Sequence, residues 1–236
     1  MNQPEPLRTI DTRRLGPGVQ AFAAELAGAP RDWGRLANEH PPILKRGNEI
    51  EFHPAWDNLL ALGMRERLHV RDSRVARAGK FIALSQVEAG VGCPLSMTHA
   101  AQAIVDVPDG RLVGMSMTER QGGSDVRTNE MQARPSGDRE ATLHGEKWFC
   151  SAPMSDAFLV LAQAPAGLSC YLVDRSDGFE IVRLKDKLGN RSNASAEIRL
   201  DGARGVLVGE EGRGVATIID MVVETRLDCV LGSAAL

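Results

Sequence analysis

A chain of 236 residues with 43% hydrophobic and 25% charged residues has the composition of an ordinary globular protein, long enough for one large domain or two small ones. The net charge of −3 supplies no positive field for phosphate, which argues against nucleic-acid and membrane-surface partners. Four cysteines (Cys93, Cys150, Cys170, Cys229) are widely spaced with no CxxC pair, and five histidines do not recur at metal-ligand spacing, so no metal is expected and reduced thiols in a cytoplasmic protein are.

Along the chain, the first stretch, MNQPEPLRTIDTRR, has no apolar core and predicts no secretory signal. Residues 1–50 are rich in Pro, Gly and Arg, with one helix expected over 19–27. A clearer helix covers 54–68, where Trp56, Leu59, Leu60, Gly63, Met64 and Leu68 recur at helical intervals and Pro54 suits the first turn. Helix continues over 73–105, interrupted near Gly92 and Pro94. The uncharged run 89–105 is too short and too polar to span a membrane.

The pattern changes at the turn Pro108-Asp109-Gly110. Short apolar or alternating segments at 111–117, 140–149, 157–164, 168–173, 179–184 and 196–200 predict an antiparallel β domain, sandwich or barrel. Helical periodicity returns after Gly214, with Val215, Ile218, Ile219, Val222 and Val230 on one apolar face, and the chain stops at Leu236 in mid-pattern. The expected fold is α+β: an N-terminal helical region (1–110), a β-barrel or sandwich domain (111–209) and the start of a C-terminal helical domain (210–236).

Two glycine-rich strings carry little. Gly16-Pro17-Gly18 follows no strand, and Glu210 and Glu211 between Gly209 and Gly212 would repel phosphate, so the latter reads as a link. The stretch MTERQGGSDV (117–126) is more specific: Gly122-Gly123 flanked by Thr118 and Ser124 fits either an anion-binding nest or an ordinary hairpin turn, and composition alone favours the turn. In HGEKWFCSAPMSD (144–156), Trp148 and Phe149 precede Cys150 and Ser151; this is a core aromatic strand or a wall and hydroxyl for a flat, partly polar ring such as a flavin.

Taken together, these words resemble a known family. MTERQGGSD (117–125), GEKWFCS (145–151), KDKLGNRSNASAEI (185–198) and VLVGEEGRG (206–214) are similar, in order, to segments of the acyl-CoA dehydrogenase superfamily. GRLANEHPP, EFHPAW, QVEAGVGCP and LKDKLGNRSNAS resemble its alkylation-response, AidB-type branch, from about residue 34 onward.

The resemblance implies FAD, lying between the β domain and the helical domains. It implies cofactor contacts from Met115, Met117, Thr118, Gly123, Ser124, Phe149, Cys150 and Ser151, with Phe149 standing where the family usually has Trp and Ser151 offering its hydroxyl toward the reactive flavin nitrogen. Ser124 and Arg226 are the implied substrate contacts, although Val223 occupies the position of the usual acidic partner of that arginine. The family base is a glutamate of the C-terminal helical domain, expected beyond Leu236, so no catalytic residue is assigned here; Glu210, Glu211 and Glu224 read as solvated charges. The implied partners are an acyl thioester or other small-molecule substrate and further copies of the chain; nucleic acid and membrane are not expected. Relative to the family, the chain is short between Thr98 and Gly114 and in its N-terminal helices. The expected function is therefore an FAD-binding flavoprotein of the oxidoreductase class, incomplete as an enzyme. The alternative is a non-catalytic oligomerisation module, or an inactive fragment of the family.

Overall fold

The computed structural model describes residues 15–236; the N-terminal stretch read above for a secretory signal lies outside the described residues. Helices come first. α1 (Pro17–Leu26) and α2 (Pro30–Glu39) each start at proline, whose missing N–H costs nothing there. A two-stranded ribbon, β1 (Ile43–Leu44) and β2 (Ile50–Glu51), leads into α3 (Pro54–Arg65), where the His53 ring caps the Ala55 amide at 3.1 Å. The helix ends three residues before the expected limit, because Arg67 takes a left-handed φ of 58°. α4 (Arg74–Val87) and α5 (Gly92–Ala101) follow, separated near Gly92 as expected, with Pro94 accommodated in the first turn of α5. The helices share a core of Phe22, Leu26, Trp56, Leu59, Leu84 and Leu95.

The sheet comprises β3 (Val113–Ser116), β4 (Gln132–Gly137), β5 (Glu140–Ser151), β6 (Ala157–Ala164), β7 (Gly167–Asp174), β8 (Phe179–Leu184) and β9 (Ser195–Val208). Pairings run β6–β4–β5–β9–β7 and return to β6, so the sheet closes on itself; β3 adds to β6, and β8 to β9. It is mixed rather than wholly antiparallel: β3 lies parallel to β6, and β4 meets β6 in parallel at Gln132 and Gln163. β6 is buried on both faces, as its unbroken apolar run AFLVLA requires. Phe158, Val160 and Ala162 fill the sheet interior, while Ala157, Leu159 and Leu161 pack against Met97 and Ala100 of α5 and Ile218 and Met221 of the last helix.

That helix, α6 (Gly214–Ala235), buries Gly214, Ile218, Met221, Thr225, Asp228 and Ala235. The expected apolar face is split. Ile218 is buried, but Ile219 and Val230 are exposed and form, with Val223 and Leu227, an outward apolar stripe at helical spacing. The inward side includes polar Thr225 and Asp228, which periodicity of apolar residues passes over. Among the described residues no helix is long and apolar enough to cross a membrane.

Candidate functional site

The site begins with an irregularity in β5. Lys147 pairs with Ile198 and Cys150 with Ala196, so Trp148 and Phe149 together face the single residue Glu197 of β9. This bulge breaks the alternation of the strand. Lys147 and Cys150 are both buried, and the two aromatic side chains between them are not; Phe149 is 47% exposed.

A second segment is fastened to this bulge. The Trp148 amide donates to the Thr118 carbonyl at 2.8 Å. Below it, the buried Lys147 ammonium donates to Glu119 Oε1 at 2.7 Å and to the Leu161 carbonyl at 2.6 Å, and burial pushes its pKa down to about 8. Glu119 also accepts from the amides of Glu130 (2.6 Å) and Met131 (3.2 Å). The glycine pair closes an ordinary turn: Gly122 N–H donates to the Glu119 carbonyl at 3.0 Å with φ 117°. Gly123 is required by closeness, since a Cβ there would stand 2.8 Å from Thr118 Oγ1.

Between this β wall and the helices lies a cavity of about 500 Å³, within the usual range for small-molecule sites. Met115, Met117, Thr118, Phe149 and Ser151 line one side, and Cys93, Ser96 and Met97 of α5 face them. α6 contributes Thr225, Asp228, Cys229, Gly232 and Ser233. Of the expected site residues, therefore, five meet in one cavity. Cys150 lies in the sheet core, where burial pushes its thiol up to about 12. Gly123 supports Thr118 from outside, while Ser124 and Arg226 are exposed and do not line the cavity.

The helical wall was not legible as a site in the sequence. Its signal was present in α6 as small and polar residues at 225, 228, 229, 232 and 233, one face of a helix. Asp228 is held there by Arg77 of α4, two hydrogen bonds of 2.7 Å each, and Arg77 Nε donates to the Leu68 carbonyl at 2.7 Å. Beside this pair, burial and then repulsion from Arg77 depress His99 to about 4, leaving it neutral. Cys93 lines the same cavity as Ser151, and burial pushes its thiol up to about 11. Glu224, expected as a solvated charge, is instead largely buried and pairs with Arg74 at 3.1 Å and Arg71 at 3.4 Å, while Glu211 accepts from the Ala166 amide at 2.9 Å. Among the described residues no group of His, Cys, Asp or Glu gathers in a way that could hold a metal ion.

Residues 4–114 match the adaptive response protein AidB N-terminal domain, and residues 114–203 the acyl-CoA dehydrogenase middle domain. The putative acyl-CoA dehydrogenase AidB of Escherichia coli is 42% identical over 251 residues, covering 86% of this chain and 46% of that protein. Acyl-CoA dehydrogenase family member 11 of Caenorhabditis elegans is 29% identical over 275 residues, covering 93% and 45%. Both aligned lengths exceed the 236 residues of this chain, so each relative carries extra segments inside the matched region. The crystal structure of Caenorhabditis elegans ACDH-11 in complex with C11-CoA superposes with a TM-score of 0.83 at 27% identity, over 94% of this chain and 48% of that one. A Bacillus anthracis acyl-CoA dehydrogenase complexed with FAD shares the fold, with a TM-score of 0.73 at 16% identity over 95% and 42%. The chain thus spans about half the length of the curated relatives it matches. It belongs to the acyl-CoA dehydrogenase superfamily, carrying the AidB N-terminal domain followed by the middle domain.

Proposed function

We propose that this chain supplies one wall of an FAD site of the acyl-CoA dehydrogenase type, acting on an acyl thioester or a related small molecule. The observation that carries this reading is the bulge at Trp148–Phe149, which turns an aromatic ring outward into a cavity edged by the Thr118 and Ser151 hydroxyls. A half-exposed ring with hydroxyls beside it and Met115 and Met117 below fits a flat ring with one polar edge. Phe149 would stack on the ring, and Thr118 and Ser151 would donate to its polar edge. The flavin, when bound, supplies hydride acceptance. α4, α5 and α6 exclude water from the opposite side. Ser124 and Arg226 would be reached only by a ligand extending out of the cavity.

Among the described residues, no lining side chain offers a free carboxylate base. Asp228 is the side-chain carboxylate lining the cavity, and both its oxygens are engaged by Arg77, so it is not free to take a proton from substrate. A base from another segment or another polypeptide is therefore part of the proposal. The cavity offers a direct test. Cys229 is exposed and lines it, whereas burial holds the Cys93, Cys150 and Cys170 thiols at about 11 or 12. Iodoacetamide at pH 8 should therefore label Cys229 first, and FAD should slow that labelling. An unchanged rate at saturating FAD would sink the assignment.

The outward stripe Ile219, Val223, Leu227 and Val230 supports a second reading, association of two copies through α6. Sedimentation should then show dimer forming with concentration, and V223E should abolish it. A monomer at all concentrations would remove this reading.

A further inference from the structure

The bulge that exposes Phe149 has a lock of its own. Lys185, just after β8, places its Nζ 3.2 Å from the Trp148 ring centroid and 4.6 Å from that of Phe149. The same ammonium donates to Glu197 Oε1 at 2.6 Å, and Glu197 is the single β9 residue opposite the bulge. Both partners are about nine-tenths buried, at 10% and 9% exposure. The backbone of Lys185 is fixed too, its amide donating to the Ser195 carbonyl at 2.7 Å. Arg120 and Arg183 also lie over Trp148, at 4.4 and 5.8 Å, but Lys185 is the cation in contact with both rings. Lys185 does not line the cavity, while Phe149 does.

We propose that Lys185, held by Glu197, is a positioning residue that clamps the bulged Trp148–Phe149 step and so fixes the ring against which the flavin stacks. The inference rests on the flavin reading above. The physical reason is that neither bulged residue has a register partner on β9, only the Trp148 amide being tied to Thr118, and a half-exposed Phe149 ring would otherwise rotate. A desolvated cation over both rings restricts them before the ligand arrives, which removes an ordering cost from binding. Because the ammonium does not line the cavity, its contact with the ligand's wall runs through Phe149, and a coupling to Phe149 distinguishes the clamp from a long-range effect of charge.

The test is a double-mutant cycle on the full chain with FAD as the probe. K185M should weaken FAD binding roughly tenfold, K185R should restore most of it, and K185M should have no further effect in an F149A background. E197Q, which keeps the ammonium but loosens its anchor, should weaken binding in the same direction and serves if K185M does not fold. A K185M chain that binds FAD like the wild type, or an equal K185M effect with and without Phe149, would overturn the proposal. A second arm needs no cofactor. In protein labelled with 4-fluorophenylalanine, the ¹⁹F resonance of Phe149, assigned through F149L, should shift or broaden in K185M at a temperature where the variant is fully folded, Arg183 still pairing with Glu197. Should the wild type take up no FAD, the flavin reading fails, and an unmoved ¹⁹F resonance would separately refute the clamp.

Discussion

Replacing Lys147 by methionine should cost about 3–5 kcal/mol of stability, the usual effect of removing one partner of a buried ion pair. The Lys147 side chain is fully buried, and its ammonium joins Glu119 to the Leu161 carbonyl of β6. Without it the Glu119 carboxylate remains inside, held by two backbone amides but no counter-charge. Four segments meet at this pair: the 117–123 loop, the 130–131 stretch leading into β4, β5 and β6. The loop carrying Thr118 should therefore loosen along with the global loss. K147M/E119L, which removes both charges, should recover most of the stability. Urea midpoints of the three variants measure this, and a K147M midpoint equal to that of the wild type would contradict it. The pH dependence has a definite sign. Burial lowers Lys147 from 10.5 to about 8 in the folded chain, so between those values the unfolded chain binds more protons. This group should make stability rise as pH increases from 8 to 10.5, and K147M should lack that rise.

Asp228→Ala should have an effect of comparable size, about 3–5 kcal/mol, but localised. The Arg77 guanidinium, almost wholly buried, would lose both acceptors on α6 and keep only the Leu68 carbonyl. The first half of α6 has an independent anchor, because Ile218 and Met221 pack against the outer face of β6. Past Met221 it is attached through Thr225, Asp228 and Ala235 and through the Glu224 pairs with Arg71 and Arg74, and of these Asp228 holds the one fully buried charge. Hydrogen exchange in D228A should accordingly accelerate over residues 222–235 and stay slow over 214–221. Uniform protection along α6 would mean that Asp228 is dispensable to the helical wall. Because this half of α6 lines the cavity, the same variant should bind FAD more weakly than the wild type.

How far the sequence carried depended on where the information lay. Elements whose own residues alternate or recur were legible: α3, α4, α5, α6 and most strands. α2 was missed because its buried face is Pro30, Gly34 and Ala37, too small to register as a hydrophobic stripe. β4 was missed because a single inward residue, Ala133, sits among polar ones and Pro135. β9 runs to Val208 rather than ending at Leu200, since its Gly-containing second half is strand by virtue of pairing with β5 and β7. At the site, the motif words led to Met115, Met117, Thr118, Phe149 and Ser151. They could not reveal the bulge, because strict alternation would send Phe149 inward with Lys147. The helical wall depends on tertiary packing of α4, α5 and α6, which no local pattern encodes.

Whether the bulged strand offers Phe149 to a flavin is read out by titrating FAD into the purified chain and following its visible absorption. Saturable binding at one FAD per chain, with a shifted flavin band that F149A largely abolishes, is the predicted result. A free-FAD spectrum at every protein concentration, or equal binding by F149A, would contradict it.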